Sequence, residues 1–281
     1  MPPLPEPYAS HLPPLLAAAF AEDLPDVTGL AVFGAEDATS AVLIAKKPGV
    51  LCGAPAFAAA FAFLDPGCRV ESSRDDGAAV GAGEVLARVS GAARAILAAE
   101  RTALNFAARL SGIASLTRRF VDAVAGTGCQ VLDTRKTTPG WRALEKHAVR
   151  CGGGANHRMG LYDVAMLKDT HLGAAGSLAG AVAKVRQRWG EAIPLVVECA
   201  TLEQVDEALA CKVAHIMLDN MDLAAMRDAV ARVAGRARLE ASGGVTLDTV
   251  RAVAETGVDL VSVGALTHSA PVLDLSLQVR R

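Results

Sequence analysis

Residues 132–169 concentrate groups that can bind a multiply charged anion. Asp133-Thr134-Arg135-Lys136-Thr137-Thr138-Pro139-Gly140 places a guanidinium and an ammonium in a polar turn. Arginine presents a planar fork that grips a carboxylate or phosphate through two parallel bonds, and lysine supplies a mobile point charge. A solvated loop with Asp133 as counter-ion is the plainer reading. Further on, His157 and Arg158 follow Gly152-Gly153-Gly154. Backbone N–H groups in such a run can face an anion, while helix termination after Arg150 is the alternative. His157 reads equally as donor, base or packing histidine. Lys168 closes an apolar run, where a buried lysine needs an anionic partner.

Later segments add complementary chemistry. Ser242-Gly243-Gly244-Val245-Thr246 before a helix, and Gly264-Ala265-Leu266-Thr267-His268 after a strand, read as two phosphate cradles in succession. Glu198 and Asp219 each end an apolar run. Carboxylates facing a phosphate site hold Mg2+, bind ribose hydroxyls or stabilise a cationic centre; plain surface acids are the alternative.

These residues need elements to position them. Residues 11–24 read as a short helix entered through Pro13 and Pro14, which suit a first helical turn. Between 38 and 89, short strand-like runs at 41–46, 68–72 and 84–89 alternate with Gly- and Pro-containing turns around a helical run at 55–64. From 92 to 125 the apolar period is helical. Ser111-Gly112 divides it into two helices, and Arg101 lies on the first, by default as exposed helix face. After 128, strands at 130–133, 163–167, 195–197, 215–218, 238–240 and 260–263 alternate with helices. The helices fall at 178–189, 202–210, 223–233 and 247–255. Thr201 with Gln204 makes a capping box, and Gly235 and Gly257 are helix stops. Repeated strand–helix units predict a parallel sheet, open or closed into a barrel. Lys168, Glu198, Asp219, Ser242 and Gly264 each stand just past a predicted strand, the end where parallel α/β folds bind ligands.

Bulk properties bound the partners. The 281 residues are 52% hydrophobic and 21% charged, with a formal net charge of −2 from 28 Lys+Arg against 30 Asp+Glu. That balance argues against a nucleic-acid binder, so any anion site is local. The residues at the N-terminus, Met1-Pro2-Pro3-Leu4-Pro5, show no secretory signal. The most apolar stretch, at 50–64, is too short to span a bilayer, so no membrane partner is expected. The 6 cysteines form no C-x-x-C pair. They read as reduced thiols in a cytoplasmic protein, without disulfides or a cysteine-based zinc cluster.

Several motifs together resemble the quinolinate phosphoribosyltransferase family. They are Glu100-Arg101-Thr102-Ala103-Leu104-Asn105, Leu110-Ser111-Gly112-Ile113-Ala114, the Asp133–Gly140 turn, Arg142-Ala143-Leu144-Glu145-Lys146, Arg150 through Leu161, Leu167-Lys168-Asp169, Leu218-Asp219-Asn220, Ser242-Gly243-Gly244 and Gly264 through Ser269. The resemblance runs from about residue 21 to the C-terminus. It implies an α/β fold in two domains. The first is an N-terminal α/β sandwich over 1–108, completed by 268–281; the second is an incomplete, six- to seven-stranded α/β barrel over 109–267.

The implied enzyme is a pentosyltransferase of NAD biosynthesis. It joins quinolinate to phosphoribosyl pyrophosphate and releases nicotinate mononucleotide, pyrophosphate and CO2. It is implied to be a homodimer with shared active sites, Arg101 being contributed by the partner subunit. Arg101, Arg135, His157, Arg158 and Lys168 would hold the quinolinate carboxylates, and Lys136 and Lys168 would meet the phosphate groups. Glu198 and Asp219 would face the ribose and Mg2+, with Lys136 as the third catalytic residue. The loops of Ser242, Gly243, Gly244 and of Gly264, Ala265 would hold the 5-phosphate. No prosthetic group is implied.

Three positions depart from the family pattern. The family's Lys-Asp-Asn-His is here Lys168-Asp169-Thr170-His171, an acid is replaced by Ala200, and the N-terminal motif is shortened to residues 22–28. The alternatives are a ModD-like relative associated with molybdenum and a non-enzymatic sensor of phosphoribosyl ligands.

Overall fold

The computed structural model describes residues 4–280; residues 1–3, part of the N-terminal segment read for a signal, and residue 281 lie outside them. In chain order the strands are β1 Ala38–Ala45, β2 Gly49–Val50, β3 Arg69–Ser72, β4 Ala79–Val80, β5 Val85–Ala92 and β6 Gln130–Leu132, then β7 Ala165–Leu167, β8 Leu195–Cys199, β9 His215–Asp219, β10 Arg238–Ser242, β11 Leu260–Ser262 and β12 Leu275–Arg280. The chain forms two compact units. One comprises Met1–Arg118, Thr137–Gly153 and Thr267–Arg281, the other Arg119–Lys136 and Gly154–Leu266.

In the first unit an antiparallel sheet runs β12-β1-β5-β3, with a separate two-stranded pair β2-β4. The last strand pairs with the first, Leu43 opposite Leu277. On β1, Ala41, Val42, Leu43 and Ala45 are all buried, as a central strand covered on both faces requires. The N-terminal helix spans Tyr8–Asp23 and carries Pro13 and Pro14 in its interior rather than at its start. An interior proline costs about 3 kcal/mol. Tyr8, Leu12, Leu16 and Phe20 recur every four residues and are buried. Each contributes roughly 1.5–3 kcal/mol, so the buried stripe outweighs the prolines.

The expected break at Ser111-Gly112 is absent: one helix runs Ala93–Ala123. Both residues serve packing instead of termination. Ser111 Oγ accepts from Cys52 N and donates to Cys52 O, each at 2.9 Å. A Cβ on Gly112 would fall on the Pro271 carbonyl oxygen, so glycine admits that backbone against the helix.

The second unit is a six-stranded parallel sheet ordered β6-β11-β10-β9-β8-β7. β6 and β7 are its edges, so the sheet is an incomplete barrel that does not close, with six strands. Nearly continuous burial along β9 to β11 follows from helices covering a parallel sheet. Three of its helices span Leu178–Trp189, Leu202–Ala210 and Leu223–Val233, as the apolar periodicity predicts. Side chains cap each start: Ser177, Thr201 with Gln204 in a capping box, and Asp222. The helix expected at 247–255 is shorter, Val250–Ala254. Thr249 Oγ1 accepts from Thr246 N at 3.0 Å, and this contact holds the preceding residues in a turn.

Candidate active site

Strand register sets which side chains of the second unit share a face. Paired residues of parallel strands project to the same side, and side chains alternate along each strand. Glu198 pairs with Met217, so Asp219, two residues further, shares its face. Asp219 pairs with Ser242 and Ser242 with Ser262, extending that face across β10 and β11. Lys168, one residue beyond β7, ion-pairs with Glu198, Nζ to Oε2 at 2.9 Å. Lys168, Glu198, Asp219 and Ser242 therefore gather at the C-terminal ends of adjacent strands.

Arg135 and Lys136 follow β6, and their turn is shaped by Thr134, whose Oγ1 accepts from Lys136 N at 3.0 Å. Asp133 is not a solvated counter-ion; it is fully buried. It accepts from Asn156 Nδ2 at 2.5 Å and from His157 N at 2.9 Å, clamping the segment after the glycine run. Arg158 then turns its Nη1 to the Val164 carbonyl at 3.0 Å. Burial lowers the Arg158 pKa, and the positive charge of Arg135 lowers it further; Asp163 and Glu198 oppose both. The two guanidiniums, each part-buried, therefore lie close enough to feel one another's charge. Asp163 braces the next turn by accepting from Met159 N at 2.6 Å and Gly160 N at 3.2 Å.

His157 is brought to a partner that the sequence reading missed. Its Nε2 lies 3.3 Å from Oε2 of Glu240, and His215 Nε2 lies 2.8 Å from the same oxygen. Ser262 Oγ donates to the other carboxylate oxygen. Two imidazole nitrogens therefore converge on one carboxylate oxygen. Burial pushes the Glu240 pKa up, but His157 and His215 outweigh it and hold the carboxyl down to about 2. Glu240 lies two residues before Ser242 on β10, on the same face and one layer deeper. An acid between Leu239 and Ala241 in an apolar strand was the available signal. A cavity of about 560 Å³ opens at the opposite strand ends, lined in part by His157, Arg158, His215 and Arg238.

The two glycine loops lie beyond β10 and β11. Gly243 has φ +105° and Gly244 φ +61°. A Cβ at Gly243 would collide with the Asn220 carboxamide, whose backbone N donates to Ser242 O at 2.9 Å. The sequence reading set this loop directly before a helix; the turn at Thr246–Thr249 intervenes, so its anion-binding capacity rests on loop backbone. Gly264 leads into the short helix Ala265–His268. Asp219 Oδ1 accepts from Asn220 Nδ2 at 3.0 Å.

Arg101 belongs to the first unit. It is exposed on the helix Ala93–Ala123, one turn from exposed Asn105, while Thr102 beside it is buried. In the same unit Glu145 is fully buried, accepts from Arg109 at 2.9 Å and from Thr138 N and Oγ1, and so orders Thr138.

The fold and site define a parallel α/β protein with a basic, carboxylate-flanked site at its strand ends. The model of the quinolinate phosphoribosyl transferase C-terminal domain matches residues 113–278, and that of the N-terminal domain matches 26–111. The chain belongs to the quinolinate phosphoribosyl transferase family. It is 42% identical to the probable carboxylating nicotinate-nucleotide pyrophosphorylase of Bacillus subtilis, over 96% of this chain and 93% of that one. It is 44% identical to the carboxylating enzyme of that name from Mycobacterium leprae, over 90% and 91%. The solved structure of the nicotinate-nucleotide pyrophosphorylase from Francisella tularensis superimposes with a TM-score of 0.93 at 36% identity, covering 96% of each chain.

Proposed function

We propose that this chain transfers the phosphoribosyl group of phosphoribosyl pyrophosphate to the ring nitrogen of quinolinate and decarboxylates the product to nicotinate mononucleotide. The observation that carries this reading is the gathering of Lys168, Glu198, Asp219 and Ser242 at adjacent strand ends, in a chain that matches both domain models of the family. Arg135, Arg158 and Lys168 are the donor types that a pyridine dicarboxylate calls for. The alternatives of a molybdenum-associated relative and a sensor are not favoured by the relatives found.

In this reading Arg135, Arg158 and Lys168 hold the quinolinate carboxylates. Arg101 arrives from a partner subunit, and His157 joins by turning from Glu240. Lys136 faces the pyrophosphate. The loops of Ser242, Gly243, Gly244 and of Gly264, Ala265 cradle the 5-phosphate. As the C1–pyrophosphate bond breaks, Glu198 and Asp219 stabilise the positive charge on the ribose. The ring nitrogen then bonds to C1 and becomes cationic. The adjacent carboxylate leaves as CO2, its electron pair is drawn toward that nitrogen, and a proton takes its place on carbon. Orientation and electrostatics supply the rate, and no prosthetic group is required.

Glu198 and Asp219 also fit Mg2+. They are oxygen donors on one face of neighbouring strands, and this ion binds through few carboxylates together with substrate phosphates. Bound there, it would neutralise pyrophosphate charge. A homodimer is part of the proposal, supported by exposed Arg101 and by Val27, Leu30 and Val32, which a short helix leaves exposed. A cytoplasmic location accords with six free cysteines.

Mixing the purified protein with quinolinate, phosphoribosyl pyrophosphate and Mg2+ is expected to release CO2 and nicotinate mononucleotide in equal amounts. No product from a well-folded protein sinks the proposal, and nicotinate accepted in place of quinolinate identifies a different transferase. For the shared site, Arg101→Ala and Lys136→Ala are each expected to be nearly inactive. Mixing them should restore about a quarter of the activity, because random exchange makes half the dimers mixed and leaves each mixed dimer one intact site. No recovery after confirmed subunit exchange rejects the cross-subunit role of Arg101.

A further inference from the structure

Cys52, Asp76 and the pair His147 and Cys151 come from three segments of the sequence, yet one ligand atom from each residue falls within 4.8 Å of all the others. All four belong to the first unit, outside the strand-end site. His147 and Cys151 are one turn apart on the helix Arg142–Cys151, and so project from one face. Cys52 follows β2, and Asp76 lies in the turn before β4.

The donor spacing is that of a coordination shell. Cys52 Sγ is 3.6 Å from Asp76 Oδ2, that oxygen is 3.2 Å from His147 Nε2, and His147 Nε2 is 3.4 Å from Cys151 Sγ. Tetrahedral bonds of about 2.0–2.3 Å to nitrogen, oxygen and sulfur put neighbouring donors roughly 3.3–3.8 Å apart. The surroundings orient the ligands. Asp76 Oδ1 accepts from Gly53 N at 2.8 Å and Ala54 N at 2.9 Å, leaving Oδ2 turned to the cluster, where Tyr8 OH donates to it at 2.5 Å. Ser111 holds both backbone groups of Cys52. A cavity of about 580 Å³, lined by Tyr8, Asp76 and His147, leads to the cluster from outside. Arg150 Nη2 lies 3.4 Å from His147 Nδ1 on the exposed side.

We propose that Cys52, Asp76, His147 and Cys151 form a tetrahedral site for a thiophilic divalent cation, with Zn2+ as its natural occupant. Two thiolates, an imidazole and a carboxylate select Zn2+ over Mg2+ or Ca2+, which take oxygen donors. Binding releases both thiol protons and leaves His147 neutral at Nε2. The ion would tie the helix Arg142–Cys151 to the segments after β2 and before β4, a structural rather than catalytic role. Sequence spacing argued against a cysteine metal cluster; the fold brings these four residues together from three separate segments.

The test is titration of reduced, chelator-treated full-length protein with Co2+ in excess Mg2+. The expected result is stoichiometric Co2+ with thiolate-to-metal charge-transfer bands and intense tetrahedral visible bands, both displaced by Zn2+. Zn2+ should also raise Tm by several degrees. Cys151→Ser, at a half-exposed position, should lose the charge-transfer intensity of one thiolate and the Tm response. His147→Gln should bind roughly tenfold more weakly or worse, since even outer partners of metal ligands are worth about 10–100-fold. Weak octahedral spectra without charge transfer would place Co2+ on carboxylates and overturn the proposal. So would wild-type protein that shows no binding while its thiols count as reduced, or spectra unchanged in both variants.

Discussion

Arg135→Ala is expected to lower kcat/KM by about two to four orders of magnitude while moving Tm by no more than about 2 °C. A guanidinium gripping a carboxylate makes two charge-assisted bonds, worth about 1.5–3 kcal/mol each. Their sum converts to that range of rate. The fold should not notice the change. Thr134 and buried Asp133 hold the backbone of the turn. Removing one of two like charges also relieves Arg158, whose pKa is lowered by burial and then by Arg135. Arg135→Lys keeps the charge and loses the fork, so it should fall between parent and alanine. Steady-state kinetics beside thermal melts decide the matter. A large fall in Tm makes Arg135 structural, and turnover near that of the parent removes it from the substrate site.

Glu240→Ala should cost about 3–5 kcal/mol of stability, the penalty for breaking a buried charge set from one side. It leaves His157 and His215, with ring centroids 6.3 Å apart, facing a void, and it strands the Ser262 hydroxyl. The same carboxylate carries a pH signature. Burial raises its pKa, yet His157 and His215 hold it down to about 2, below its ordinary value of 4.5. A depressed acid contributes stability that is present above its unfolded pKa and lost as pH falls through the folded one. The window is therefore pH 4.5 down to 2, and the loss is about 3 kcal/mol. Glu240→Gln should flatten that part of the stability curve relative to the parent. Denaturant unfolding at several pH values measures both effects. Parallel curves for parent and Glu240→Gln would show that Glu240 is not the titrating group.

The local elements were legible because their causes are local. The helices Leu178–Trp189, Leu202–Ala210 and Leu223–Val233 combine an apolar stripe with a side-chain cap a few residues away. The six strands of the parallel sheet are apolar runs closed by turn residues. Where a residue's purpose lay in a distant segment, local rules misread it. Ser111 and Gly112 look like a helix break, but they receive the Cys52 and Pro271 backbones. Pro13 and Pro14 look like a helix start, but a buried stripe carries the helix past them.

The basic stretch at 132–169 was visible from residue types alone, because it sets arginine, lysine and histidine beside glycines. The sequence by itself determined the six strands and the helices between the later ones, the basic turn and the strand-end position of Lys168, Glu198 and Asp219. Tertiary structure decided what those residues touch. Asp133 is a buried clamp rather than a counter-ion, and Glu240 with His215 underlies His157. Cys52, Asp76, His147 and Cys151 come together in space. The physical reason is that capping and apolar periodicity act over a few residues, whereas ion pairs and coordination shells join whatever side chains the packed backbone brings within about 4 Å.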